Sequence, residues 1–211
     1  MTDVPDGPST IEATAASLLG PARSRHSRLV RGLSELDAID RAMYQAVAAT
    51  SSPTLDAGLT RLSNAANHSR LWLAIAAGLA LLGGRRQRQA AGLGVAAIGL
   101  ASLTANVVVK PRLLRQRPDR IAATVPEARH VRMPVSTSFP SGHAASAFAF
   151  ASAVGDALPA TTVPLRLLAL AVAYSRVHTG VHYPGDVVVG SLVGATCGSL
   201  VRRAALLSRR R

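Results

Sequence analysis

Cysteine, lysine and aromatic residues are all scarce in this sequence, and each scarcity removes a class of explanation. A single cysteine, Cys197, leaves no disulfide framework and no cysteine-based metal site. It lies in an apolar run, where a thiol acts as a small hydrophobe. Aromatic residues make up only 3% of the chain, too few to alternate with basic residues as platforms for stacked bases. A net charge of +13 would by itself suggest nucleic acid as a partner. The arginines, however, gather at the two ends and in short polar interruptions between apolar runs, as the basic flanks of membrane segments do. Nucleic acid is therefore not an expected partner. Residues 1–20 are mildly acidic and have no apolar core, so they do not read as a signal peptide. Lysine is the scarcest basic residue, because Lys110 is the only one among 24 Lys and Arg. In a chain so biased towards Arg and Ala, a lone lysine suggests a position held by chemistry, although chance survival explains it too.

What the chain does have is apolar length. Its 211 residues allow one domain with a tail. A mean hydropathy of +0.24 suits either an Ala-rich soluble bundle or a small helical membrane protein. Residues 1–28 are rich in Ser, Pro, Thr and Arg and are expected to form a disordered tail. The domain is expected over 29–204, followed by a basic tail over 205–211. Helical spacing of apolar residues among charges, such as Leu36, Ile39, Met43 and Val47, predicts helices over about 34–50 and 54–67. Ser51-Ser52-Pro53 separates them and Thr54 can cap the second. Both are too polar to span a bilayer, so they are expected at the interface or packed on the bundle. Nearly uncharged runs follow over 71–84, 90–109, 142–158, 161–175 and 187–201. Only 90–109 reaches the roughly 20 residues that clearly span a bilayer. Gly190, Gly194 and Gly198 recur at every fourth position, which suits close helix packing. The expected fold is an all-α membrane bundle of about five transmembrane helices, multi-pass in the cell membrane. Nothing in the sequence fixes an oligomeric state.

Three clusters carry candidate chemistry. Lys110 precedes Arg117-Pro118, with Arg112 and Arg115 between them. Lys supplies a point charge and Arg a planar fork, both suited to phosphate. Alone, this segment reads as a basic membrane flank. Pro140-Ser141-Gly142-His143 opens an apolar run. Ser141 can cap a helix there, Gly142 lets an anion approach the backbone N–H groups, and His143 sits a turn inside, able to donate a proton. Ser175-Arg176 is followed by His182 and Asp186, the last two on one helical face. A carboxylate on one imidazole nitrogen fixes the tautomer and frees the other to attack. His178 and His182 also stand four apart and could ligate a metal, but no nearby Glu, Cys or second Asp completes such a site. Lys110, His143, Arg176 and the His182–Asp186 pair each fall at the end of a successive apolar run. In an up-and-down bundle those ends share one face. That face gathers three cations, two histidines and one carboxylate, suited to a phosphate dianion and its more charged transition state.

These residues resemble the three-part signature of the type 2 phosphatidic acid phosphatase superfamily, whose members include lipid phosphate phosphatases, polyprenyl-diphosphate phosphatases and vanadium haloperoxidases. The resemblance runs from Lys110 to Asp186, with every signature position filled. It implies a helical core and a two-step mechanism without metal or other cofactor. His182 would be the nucleophile, assisted by Asp186, and His143 the proton donor and then the base. Lys110, Arg117, Ser141, Gly142 and Arg176 would hold the phosphate oxygens. Many bacterial members have six membrane helices, and here a charged N-terminal segment stands in place of the first.

The resemblance implies a lipid phosphate substrate met in the bilayer: a polyprenyl phosphate or diphosphate, phosphatidic acid, phosphatidylglycerol phosphate, or the decaprenyl-phosphoryl-phosphoribose of cell-wall arabinan synthesis. Two other functions stay open on the sequence. One is a vanadate-dependent haloperoxidase, whose relatives are typically larger and soluble. The other is a catalytically silent membrane binding protein, against which the intact signature argues.

Overall fold

The computed structural model describes residues 10–50 and 52–208, which hold helices and no strand. It divides into two units, residues 1–42 and 43–211. The described part of the first is one stretch of helix, and the helical bundle lies within the second. Helix α1, Thr10–Ala49, begins well before the expected position near Ser34. The tail expected over 1–28 is thus helical from Thr10, while residues 1–9 and 209–211 lie outside the described residues.

Helix α2 spans Pro53–Ala65 with Pro53 in its first turn, where a fixed φ and a missing N–H cost nothing. The proline moves the start upstream, so Ser52 and not Thr54 holds the cap position. A short turn, Asn67–Ser69, leads into α3, Arg70–Leu82. Helix α4, Arg85–Leu103, continues through a π-helical turn at Thr104–Val109 and a tight turn at Lys110–Arg112. Pro111 ends it by removing an N–H and clashing with the preceding turn. After a loop whose only helical turn is Glu127–Arg129, α5 spans Gly142–Ala157, α6 Thr162–His178 and α7 Pro184–Ser208. Each of the five expected apolar runs falls on one of α3 to α7. Two stretches, 85–112 and 184–208, are long and apolar enough to cross a membrane.

Helix α5 is the centre of the bundle, contacting α4, α6 and α7. Its small residues make that possible: Ala145, Ala149 and Ala153 are fully buried against Ala97 and Ala101 of α4, Ala105 of the π-helical turn and Cys197 of α7. On another face Trp72 packs on Phe150, ring centroids 5.5 Å apart, among alanines and branched residues of α3 to α6. The Gly190, Gly194 and Gly198 stripe works as its spacing predicts. A Cβ on Gly190 would stand 2.5 Å from the Ser141 carbonyl oxygen, and one on Gly198 the same distance from that of Ala149. Small residues let the two backbones meet.

Candidate active site

The signature residues converge at one end of this bundle. Helix α4 delivers Lys110 where Pro111 stops it. Ser141 opens α5, its side chain accepting the Ala144 N–H as a cap. Arg176 lies in the last turn of α6, and Gly180, at φ +71, turns the chain so that His182 and Asp186 enter α7. A side chain at Gly180 would meet left-handed strain and stand 2.6 Å from Arg120 Cγ. Ser141 N–H donates to the Asp186 carbonyl at 2.9 Å, tying the starts of α5 and α7 together.

His182 and Asp186 form a buried pair, 2% and 0% exposed. His182 Nδ1 lies 3.4 Å from Asp186 Oδ2, so Nδ1 carries the hydrogen and Nε2 keeps its lone pair. Asp186 is itself held on every side. Oδ2 accepts from Ser138 Oγ and, at 3.0 Å, from Tyr183 N–H. Oδ1 accepts from Arg115 Nη1 at 2.9 Å, and the Arg115 guanidinium lies 4.3 Å from the Tyr183 ring centroid. Burial pushes the His182 imidazolium down to about 4, with Arg117 and Arg176 adding to the effect and Asp186 opposing it. The ring is therefore neutral at pH 7 and Nε2 is a usable nucleophile.

A cavity of about 280 Å³ adjoins this pair, and Lys110, Arg117, Gly142, His143 and His182 contribute to its wall with Ser69, Ser102 and Asn106. Arg117 Nη1 stands 3.3 Å from His182 Nε2. The guanidinium is braced by carbonyls of Ser136, Thr137 and Val181 at 2.8, 3.2 and 2.7 Å. Lys110 Nζ reaches Ser136 Oγ at 3.2 Å. His143 Nε2 pairs with Asn67 Oδ1 at 2.9 Å. Ser141, Arg176 and Asp186 do not line the cavity; they lie behind it, 0%, 1% and 0% exposed. Arg176 donates to Ser63 Oγ at 2.5 Å, and its buried Nε–H has no partner. A buried donor in that state wants an acceptor.

His178 does not pair with His182. Its Nε2 lies 2.9 Å from Asp56 Oδ1, the oxygen that also accepts from the buried Arg129 at 2.8 Å. Arg129 in turn bonds the carbonyls of Val47 and Thr50, so this network stitches the α1–α2 turn to α6 and to the loop. The pair that would have begun a metal site is thus split between two networks.

Sequence reading missed Ser136, Ser138, Asn67 and Ser63, and it noted Arg115 only as part of a basic segment. Serines, asparagines and arginines with long-range partners carry no local pattern. The one available signal was the polar run 136–138 immediately before the Pro140–His143 motif.

Comparison with known proteins agrees with this geometry. Residues 89–210 match the PAP2 superfamily. The chain is 38% identical over 141 residues to decaprenylphosphoryl-5-phosphoribose phosphatase of Mycobacterium tuberculosis, covering 66% of this chain and 75% of that protein. It is 38% identical over 142 residues to the protein of the same name from Mycolicibacterium smegmatis, covering 65% and 72%. Among solved structures it is similar to the first transmembrane PAP2 type phosphatidylglycerolphosphate phosphatase from Bacillus subtilis, with TM-score 0.63, 25% identity and coverage of 81% and 86%. The fold is shared with Aquifex aeolicus LpxE at TM-score 0.60, 24% identity and coverage of 77% and 93%. With a family match over more than half its length and relatives at this identity, the chain belongs to the PAP2 superfamily and is a phosphatase of it.

Proposed function

We propose that this chain hydrolyses the phosphate monoester of a membrane lipid through a phosphohistidine on His182. The observation that carries the reading is the orientation of that ring, with Nδ1 on Asp186 and Nε2 beside Arg117 in a cationic cavity. Nε2 attacks phosphorus as the bond to the leaving oxygen breaks, and His143 gives that oxygen its proton. His143 then takes a proton from water, whose oxygen attacks phosphorus and releases inorganic phosphate and free His182. Lys110 and Arg117, in the cavity wall, balance the charge that gathers on the phosphoryl oxygens, and Arg176, buried behind that wall with an unpartnered Nε–H, adds positive charge from there. Gly142 N–H adds a donor at the start of α5, whose positive end Ser141 caps from behind the cavity wall.

Helices α3 to α7 form five membrane spans, with the protein multi-pass in the cell membrane. Their outward faces support this, with Leu82 92%, Leu167 60% and Leu192 63% exposed. Large apolar side chains exposed on helix after helix suit lipid better than water. Helix α2 lies on α6 outside the spanning set.

The substrate is a lipid whose phosphate is carried on a sugar, of the decaprenylphosphoryl-5-phosphoribose kind. Two relatives bear that name. The cavity wall beyond the cations is also polar, with Ser69, Ser102 and Asn106, and Asn106 Nδ2 donates to Ser102 Oγ at 3.1 Å. Such a wall offers partners to hydroxyls, and a bare acyl lipid phosphate would leave them unmet. Phosphate release by purified protein in detergent, screened over decaprenylphosphoryl-5-phosphoribose, phosphatidic acid, phosphatidylglycerolphosphate and polyprenyl diphosphate, tests it. The first is expected to be preferred and His182→Ala to be inactive on all. Equal rates across the panel would refute the sugar reading, and an active His182→Ala would refute the nucleophile.

A further inference from the structure

The proposed chemistry needs His143 to give a proton and later to take one, through whichever ring nitrogen is left free. One nitrogen is committed, since Nε2 stands 2.9 Å from Asn67 Oδ1. The amide of Asn67 is oriented from its other side, where Nδ2 donates to Asn64 Oδ1 at 3.4 Å. An amide oxygen only accepts, so Nε2 carries the hydrogen and Nδ1 is the nitrogen that exchanges a proton. Asn67 stands to His143 as Asp186 stands to His182, with a neutral carbonyl in place of a carboxylate. The difference suits the tasks. A carboxylate would hold an imidazolium strongly, whereas an amide fixes the ring and leaves its proton easier to give away.

The backbone around Asn67 is unusual in a way that fits this role. His68 and Ser69, the next two residues, adopt left-handed φ values of 54 and 58 and both line the cavity. Non-glycine residues hold that conformation against steric strain, and such residues cluster at functional sites. Asn67 lies before residue 89, where the superfamily match begins, so it is not part of the signature. The adjoining α2 contributes a second contact of the same kind, Ser63 to Arg176.

We propose that Asn67 is a positioning residue for His143, holding Nε2–H so that Nδ1 serves as acid in the first step and base in the second. The inference rests on the phosphatase reading above.

The test compares kcat/KM of the full chain in detergent on two substrates. A lipid phosphate expels an alkoxide that needs a proton, while p-nitrophenyl phosphate expels a phenolate that does not. Since kcat/KM reports only steps up to departure of the leaving group, rate-limiting hydrolysis of the phosphoenzyme does not mask the comparison. Asn67→Ala is expected to lose about 10²-fold on the lipid phosphate and little on the aryl phosphate, in line with loss of general acid catalysis. Asn67→Asp, which restores an acceptor, is expected to recover much of the lipid rate. Its carboxylate favours the imidazolium, so the alkaline limb of the pH profile moves to higher pH. Equal loss on both substrates, or no loss on either, would overturn the proposal. His143→Ala separates the two readings. If it discriminates between the leaving groups and Asn67→Ala does not, the role of Asn67 alone fails. If His143→Ala does not discriminate, the acid assignment of His143 fails and this inference with it.

Discussion

Replacing Gly190 by alanine adds one methyl group and should cost most of the activity. At an unconstrained helical position glycine to alanine gains about 0.5–1 kcal/mol through chain entropy. At Gly190 the new Cβ would lie 2.5 Å from Ser141 O and 3.3 Å from both Ser141 C and Ala144 Cβ. A carbon–oxygen contact settles at roughly 3.3–3.6 Å, so α5 and α7 must part by about 1 Å. The Ser141 carbonyl cannot turn aside freely, because it accepts the first α5 bond from Ala145 N–H at 3.0 Å while Ser141 N–H holds the Asp186 carbonyl at 2.9 Å. The helix starts must therefore separate, and they carry His143 on one side and His182 on the other. A misplacement near 1 Å costs on the order of 10²-fold in rate, and overpacking costs about 1–3 kcal/mol in stability. Phosphate release in detergent micelles and thermal unfolding of the same preparation measure both. Gly99→Ala is the control, since nothing lies within 4 Å of its Cβ; it should keep its activity and match or exceed the parent Tm. Full activity and unchanged Tm in Gly190→Ala would refute the reasoning.

Three further outcomes follow from the site. Asp186→Asn should keep the fold yet lower kcat by about 10³–10⁴-fold, because a neutral amide no longer offsets the positive charge the His182 ring gains when Nε2 bonds phosphorus; a loss under tenfold in steady-state assays would contradict that role. NMR titration of the free protein should show the His182 ring gaining a proton near pH 4, since His182 is pushed down to about 4 and loses its lone pair only as pH drops through that value; a midpoint near 6.5 would show a ring in an ordinary solvated state. Arg129→Ala should destabilise the protein by about 3–5 kcal/mol, as removal of one member of a buried ion pair does, because Arg129 is 0% exposed and joins Asp56 to the carbonyls of Val47 and Thr50. Chemical denaturation in detergent measures it, and a change below 1 kcal/mol would mean the network is dispensable.

The parts of the fold legible in the sequence are those written in local spacing. Each apolar run became a helix because uncharged, Ala- and Leu-rich stretches have no competing way to satisfy their backbone. The glycine stripe announced the α5–α7 contact, and Ser141 announced its cap. Convergence of Lys110, His143 and His182 was legible from their places at successive helix ends. What could not be read were bonds between distant segments: Asn67 with His143 and Ser63 with Arg176 span 76 and 113 positions. The choice of Arg115 over its neighbours for Asp186 depends on how the loop 113–141 folds, and that loop has almost no periodicity. The early start of α1 went unread because its composition resembles that of a tail, and the π-helical turn at Thr104–Val109 has no sequence mark at all.

The covalent state of His182 tests the account most directly. Rapid quenching of the protein during turnover of a phosphate-labelled lipid substrate should give acid-labile, alkali-stable label on the chain, as a phosphoramidate requires. The label should be absent in His182→Ala. Label that survives in His182→Ala, or turnover by the parent protein with no covalent label in the pre-steady state, would contradict the account.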